Sequence, residues 1–316
     1  MDVVTIGDAM VSLNPLSKGP MRYVTTFERK VGGAELNAAI GCSRLGLKTK
    51  WISRLGNDEF GRYILNFVRG EGIDTSDVRL VDQYPTSVYF KEVLEDGSGR
   101  TFYYRSNSPT TTLKTEDLSA SIFSGAKLLH VTGVFPAVDK EKNVELIKQA
   151  VVLAKQQGML VSLDPNIRLK LWSKEEAKAG LTELMPYTDI LLTGVEEAEI
   201  LFGTADPDEI IAESIEHGIS WIAIKQGESG SIGYHHSEKL VSPAVKARKV
   251  VDTVGAGDGF DAGFIYGVLN GWTLEKTLHF ANTMGSMVVS VSGDNEGLPY
   301  LDDVLVQLGE KESIER

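Results

Sequence analysis

Asp252-Thr253-Val254-Gly255-Ala256-Gly257-Asp258 places an acidic side chain directly behind two glycines at the point where a helix begins. The helix is legible downstream: Phe260, Phe264, Ile265, Val268 and Leu269 recur at helical spacing, and Gly259, Gly263 and Gly267 form a small-residue stripe suited to close packing. Backbone N–H groups in a first helical turn have no intrahelical acceptor and lie at the positive end of the helix dipole. Gly255, Ala256, Gly257 and Asp258 can therefore offer amides to an anion such as a migrating phosphoryl group. Glycines let that anion approach closely. The same positive end favours an ionised Asp258, ready to accept the proton of a hydroxyl beside the phosphate. A short glycine-rich string is by itself more often only a tight turn, so the rest of the chain has to decide.

Two further motifs do so. Val31-Gly32-Gly33-Ala34-Glu35-Leu36-Asn37 enters a second helix, and Asp164-Pro165-Asn166-Ile167-Arg168 follows the strand-like run 159–163. Together the three resemble the ribokinase-like (PfkB) carbohydrate kinases, from Val4 to about Val304. The resemblance implies ATP-dependent phosphoryl transfer, with Gly33, Ala34 and Asn37 holding the sugar, Asp258 as general base and the amides of Gly255, Ala256 and Gly257 as the anion hole. It also implies an ATP loop at Lys225-Gln226-Gly227-Glu228-Ser229-Gly230, in which Lys225, Gly227 and Gly230 contribute, with Asn166 at the phosphates and Asn282 near the adenine. Asp252 shapes its loop or assists a monovalent-cation site. One departure stands out: Thr193-Gly194-Val195-Glu196-Glu197 has Gly194 where the family usually carries Asn in Asn-x-x-Glu. Glu197 is kept as an indirect contact to Mg2+, most of whose ligands would be phosphate and water; a solvated helix face of Glu196, Glu197 and Glu199 is the competing explanation.

For the acceptor, the arginines are informative. Arg105 and Arg168 both face the expected cleft, and two guanidinium groups suit a carboxylate, which a neutral hexose does not require. Phe102-Tyr103-Tyr104-Arg105, the Asp164 motif and Gly293-Asp294-Asn295-Glu296-Gly297 are similar to the 2-keto-3-deoxygluconate kinases within the family. By that likeness Gly33, Asn37, Tyr89, Tyr103, Arg105, Arg168, Asp258 and Asp294 are acceptor contacts, and the product is the 6-phosphate of Entner–Doudoroff-type and uronate catabolism. Core packing is the alternative for the tyrosines and a loop cap for Asp294. A fructokinase of the same fold is the nearest rival. Gly257-Asp258-Gly259-Phe260-Asp261-Ala262 formally fits a nicotinamide-dinucleotide fingerprint, but no first strand precedes it and no acid on a strand follows, so a dehydrogenase is remote.

Bulk properties agree. The 316 residues, 42% hydrophobic, can bury a large core. A net charge of −12 without a Lys/Arg cluster argues against nucleic-acid or membrane-surface partners. The single Cys42 precludes an intrachain disulfide and points to a reducing cytoplasm; no leader or membrane span is expected. The five histidines lack metal-ligand spacing.

Apolar runs at 3–6, 50–53, 128–131, 160–163, 190–192 and 221–224 read as strands, alternating with helical patterns at 36–45, 60–69, 142–156, 174–184, 196–202 and 274–289. This predicts an α/β fold with a mostly parallel sheet covered by helices on both faces. A hairpin, 87–94 and 100–105 around a turn near Gly97, breaks the pattern; that turn would set Tyr89 opposite Arg105. The family likeness makes segments 13–31 and 86–107 a β lid, often a dimer contact, on one ribokinase-like domain spanning 1–316.

Overall fold

In the computed structural model, which describes residues 1–96 and 98–312, every expected strand and helix is present. The chain opens with strands β1 (Val3–Ile6), β2 (Met10–Pro15) and β3 (Phe27–Gly32), then helix α1 (Ala34–Arg44), β4 (Thr49–Gly56), α2 (Glu59–Gly70) and β5 (Val78–Val81). The hairpin β6 (Val88–Val93) and β7 (Gly99–Tyr104) follows, then the short helix α3 (Ala120–Phe123). An alternating region comes next: β8 (Leu128–Thr132), α4 (Lys140–Gln156), β9 (Leu160–Asp164), α5 (Lys174–Thr182), β10 (Ile190–Gly194), α6 (Val195–Phe202), α7 (Pro207–Glu216) and β11 (Trp221–Lys225). The antiparallel pair β12 (Ser231–His235) and β13 (Glu238–Ser242) leads to α8 (Ala256–Leu269), α9 (Leu274–Val288) and α10 (Leu301–Gln307).

The strands form two sheets. Nine align in the order β13-β12-β11-β10-β9-β8-β1-β4-β5, parallel except where β12 and β13 return antiparallel at one edge. Central strands such as β8 (Leu-Leu-His-Val-Thr) are buried along their whole length, as a sheet covered on both faces requires. Chain order runs outward from β1 to β4 and β5 on one side and begins again at β8 on the other, which puts the topological switch beside β1. The other sheet, β3-β2-β6-β7, is small and mixed.

The glycine stripe of α8 packs as its spacing predicts. A Cβ on Gly263 would lie 2.9 Å from the Met284 side chain and 3.0 Å from Ala281 Cα, so α9 can approach only because nothing projects there. Cys42 is wholly buried in α1.

Some expectations need correction. Tyr89 pairs with Tyr103, not Arg105, because the strands close with Val93 opposite Gly99; the expected turn centre, Gly97, lies outside the described residues. Within the expected lid segment 13–31, Met21–Tyr23 is a 3-10 turn, and β3 begins only at Phe27. The sheet strands reach one or two residues further than the apolar runs, because Asp164, Gly194 and Lys225 still pair in register at their C-terminal ends. Helix α7 was not expected, although Asp206 caps it and Pro207 occupies its first turn.

Gly263→Val should destabilise the fold by about 2 kcal/mol through overpacking at the α8–α9 contact, measured by chemical denaturation. A variant as stable as the parent would show that this contact is not tight.

Candidate active site

Parallel strands deliver their functional side chains at their C-terminal ends, and three do so here: Asp8 follows β1, Asp164 ends β9 and Lys225 ends β11, while β10 ends in Gly194, which offers its backbone amide. The N-termini of α1 and α8 point into the same region. At α8 the cap is Gly255, with φ +79°, a conformation disfavoured for residues with a Cβ, and a Cβ there would meet the Asp294 carbonyl at 2.0 Å. Glycine is thus required twice over. Gly33 caps α1 at φ +155°, its Cα held against the Asp8 carbonyl so that a Cβ would come within 2.4 Å.

Asp258 lies in the first turn of α8 and is buried. Its Oδ2 accepts a 2.7 Å hydrogen bond from Asn37 Nδ2 of α1. Asn37 is oriented in turn: Asn295 Nδ2 donates to its Oδ1 (3.3 Å) and to the Val31 carbonyl (2.7 Å). Burial pushes the Asp258 carboxyl up to about 7; the Asn37 hydrogen bond opposes this, the Asp164 charge adds to it, and the charges of Arg168 and Lys225 oppose it. The helix end alone therefore does not keep Asp258 fully ionised as expected, because burial outweighs it. A carboxyl titrating near neutrality is better matched to taking a proton than an ordinary one.

Lys225 Nζ sits between Asp164 Oδ1 and Asp261 Oδ1, each at 3.2 Å, and 3.8 Å from the point where a Cβ on Gly257 would lie. Burial disfavours its charge, but Asp164, Asp261 and Glu197 outweigh that and hold the ammonium charged. Asp261 is raised by burial and by Asp164; Asp164, despite its own burial, is kept below the usual range by Lys225 and by a hydrogen bond from Asp261. Asn166, in the left-handed region at φ +36°, donates its amide to Asp164 Oδ1. Gly257, Lys225, Asp164 and Asn166 are thereby brought together.

Glu197 does not lie on a solvated face. Its Oε1 accepts the Ile167 amide (3.0 Å) and its Oε2 the Gly194 amide (2.8 Å), so it builds the loop carrying Asn166 and Arg168. Among the described residues no three His, Cys, Asp or Glu side chains are grouped to hold a metal ion. The donor set suits a cation carried by phosphate and water, with Glu197 and Asp164 behind it.

On the small sheet, the Tyr89 hydroxyl donates to Asp294 Oδ2 (2.5 Å) and Lys91 Nζ to Asp294 Oδ1 (2.8 Å). Both oxygens of Asp294 are therefore engaged, which makes it a tie between the small sheet and the loop before α10. Tyr89 and Tyr103 lie with ring centroids 5.6 Å apart. Arg105 donates from Nη2 to Asp8 Oδ2 (2.9 Å). Arg168 is exposed, near enough for its charge to bear on Asp258.

The β11–β12 connection carries Gly227 (φ +55°) and Gly230 (φ +98°). Gly230 packs on Ser242 and Ala244, while Asn282 Nδ2 donates to Ser242 and Pro243, so Gly230 and Asn282 meet around 242–244. Sequence reasoning missed Asp8, Lys91, Asp261 and Asn295 as site residues. Asp261 had a usable signal, a charged residue inside the apolar stripe of α8; Asp8 had another, an acid just past the end of an apolar strand.

Fold and site define a carbohydrate kinase. Residues 1–301 match the pfkB family carbohydrate kinases, and the chain belongs to that family, as an ATP-dependent sugar kinase. It is similar to the 2-dehydro-3-deoxygluconokinase of Bacillus subtilis (34% identical over 301 residues, 95% of this chain and 93% of the relative). It also resembles the 5-dehydro-2-deoxygluconokinase of Geobacillus thermodenitrificans (30% over 312 residues, 96% and 92%). The crystal structure of 2-dehydro-3-deoxygluconokinase from Thermotoga maritima superposes with a TM-score of 0.90 at 27% identity, covering 98% of each chain.

The folded chain holds a proton on Asp258 up to about pH 7, whereas the unfolded chain releases it near the ordinary value of 3.8. The contribution of this group to stability therefore falls as pH rises across that window. Asp258→Asn should gain in melting temperature relative to the parent between pH 5 and pH 8, on the order of 2 °C or more. A difference that does not change with pH would mean Asp258 ionises as an ordinary carboxylate.

Proposed function

We propose that this kinase transfers the γ-phosphate of ATP to the 6-hydroxyl of 2-keto-3-deoxygluconate, giving 2-keto-3-deoxy-6-phosphogluconate. The observation that carries the reading is the Asn37–Asp258 hydrogen bond at 2.7 Å, which joins the glycine pair of the sugar motif to the carboxylate of the phosphate turn. Asp258 accepts the proton of the attacking hydroxyl, and the Gly255, Ala256 and Gly257 amides neutralise charge on the migrating group. Lys225, fixed by two carboxylates, presents positive charge beside that turn. Asn166 lines the phosphate path, and Gly227, Gly230 and Asn282 form the nucleoside end. Mg2+, when bound, draws charge from the phosphate oxygens; Glu197 and Asp164 would hold it through water.

Gly33, Ala34, Asn37, Tyr89, Tyr103, Arg105 and Arg168 make up the acceptor side, and Asp294 supports it through Tyr89. Arg105 has one donor committed to Asp8, so the uncompensated positive charge that selects a carboxylate belongs mainly to Arg168. The names of both kinds of relative denote keto-deoxy derivatives of gluconate, which supports an acidic acceptor; the higher identity to the 2-dehydro-3-deoxy enzymes favours that isomer over 5-keto-2-deoxygluconate.

The small sheet serves as a lid on a single domain. Half-buried Phe90 and Phe102, paired across β6 and β7, with Phe27 and the exposed Tyr104 edge-on to Phe90, support a second role as a dimer surface. No helix among the described residues is long and apolar enough to cross a membrane, and the one cysteine fits a cytoplasmic home.

In a substrate panel read by ADP release, 2-keto-3-deoxygluconate should exceed 5-keto-2-deoxygluconate, fructose and ribose in kcat/KM; comparable use of the neutral sugars would remove the acid-acceptor reading. Asp258→Asn should lower kcat by about 10²–10⁴-fold with ATP binding retained, and Arg168→Ala should mainly raise the KM of the acid sugar. A near-parental rate for Asp258→Asn would exclude it as the base.

Light scattering should give twice the 34.5 kDa chain mass, with Phe90→Lys reducing it to one chain. A monomeric parent protein would rule out the lid dimer.

A further inference from the structure

Asp8 and Arg105 form an ion pair that the fold has no evident need of. The two side chains are 3% and 9% exposed, and taking both charges out of water costs about as much as their attraction returns, so stability does not account for the pair. Its position is more telling. Asp8 follows β1 at the topological switch, its carbonyl packs on Gly33 of the sugar motif, and its carboxylate reaches across to the residue after β7.

Asp8 Oδ2 takes Arg105 Nη2, and Asp8 Oδ1 takes the Ser108 hydroxyl at 3.1 Å; that hydroxyl lies 2.8 Å from Thr110 Oγ1. The Arg105 guanidinium is thereby gripped at one corner, while its Nε is buried with no acceptor among the described residues. A buried donor left unpaired costs roughly 1–3 kcal/mol, so the guanidinium is not held there by a full set of hydrogen bonds.

We infer that Asp8 is a positioning residue for the acceptor: it locks the Arg105 guanidinium so that its remaining N–H groups face an oxygen of the bound sugar acid. The inference rests on the proposed reading of Arg105 as a substrate contact. Asp8 itself does not touch the reacting atoms. Its carboxylate sets the angle of the guanidinium fork and balances its charge, so Arg105 serves as an oriented donor instead of a free cation competing with Arg168. Ser108 fixes the carboxylate from its other oxygen.

Steady-state kinetics of the full chain with 2-keto-3-deoxygluconate and ATP test this through Asp8→Asn, Arg105→Ala and the double variant. Asp8→Asn should raise the KM of the sugar acid about ten-fold, the scale of one charge-assisted hydrogen bond, and leave the KM of ATP unchanged. In the Arg105→Ala background the same substitution should have no further effect, because Asp8 acts only through that side chain. If Asp8→Asn fails to fold, Ser108→Ala loosens the same carboxylate and should raise the sugar KM two- to three-fold, again only when Arg105 is present. Multiplicative effects of Asp8→Asn and Arg105→Ala, or an equal loss for both substrates, would overturn the inference while leaving Arg105 as a contact. An unchanged sugar KM in Arg105→Ala would overturn both.

Discussion

A carboxyl buried at the start of a helix needs a donor, and Asn37 supplies it to Asp258; much of the surrounding architecture secures that one bond. An amide can donate to Asp258 only if its oxygen faces the other way, and Asn295 meets that oxygen with its own amide while also holding the Val31 carbonyl. Arg44 Nη1 then fixes the backbone carbonyls of Asn295 and Leu298, and Lys30 donates to that of Ser292. Helices α1 and α8, strand β3 and the loop before α10 are joined at a single point, although the residues concerned are more than two hundred positions apart in the chain.

Around that point the protein keeps more buried acid than base. Asp164, Asp258, Asp261 and Glu197 share one half-buried cation, Lys225, and three of the four acids are pushed upward by burial. Glu35, in the first turn of α1, is likewise raised to about 7 by burial, with its Oε1 accepting from Thr132 and Phe135. Such a cluster adds little to stability and is best understood as chemistry the fold tolerates. Parallel strands make it possible, since their C-terminal ends can offer polar groups to one crevice without disturbing the apolar sheet beneath.

The layered fold was legible because its information is local and periodic: apolar runs of three or four residues alternated with amphipathic helices, and the glycine stripe of α8 announced a close neighbour. The phosphate turn and the sugar motif were equally plain, since glycine pairs at helix starts have few uses. What remained hidden was pairwise. Nothing in the order of residues says that Lys91 meets Asp294, that Arg105 meets Asp8, or that Asn295 orients Asn37, because each contact is made by tertiary packing across long stretches of chain. The hairpin register failed for a related reason: turn length sets which residues face each other, and a two-residue error in the turn moved Tyr89 from Arg105 to Tyr103.

The lone thiol has a practical consequence. Cys42 is fully enclosed in α1, and burial, with the charge of Asp261 adding to it, drives its pKa far above the ordinary range, so the nucleophilic thiolate is scarce in the folded chain. A cysteine introduced on the solvent side of the small sheet would consequently be the one site open to maleimide dyes. The native sequence thus already provides a clean background for attaching fluorescent or spin probes, with no prior removal of thiols.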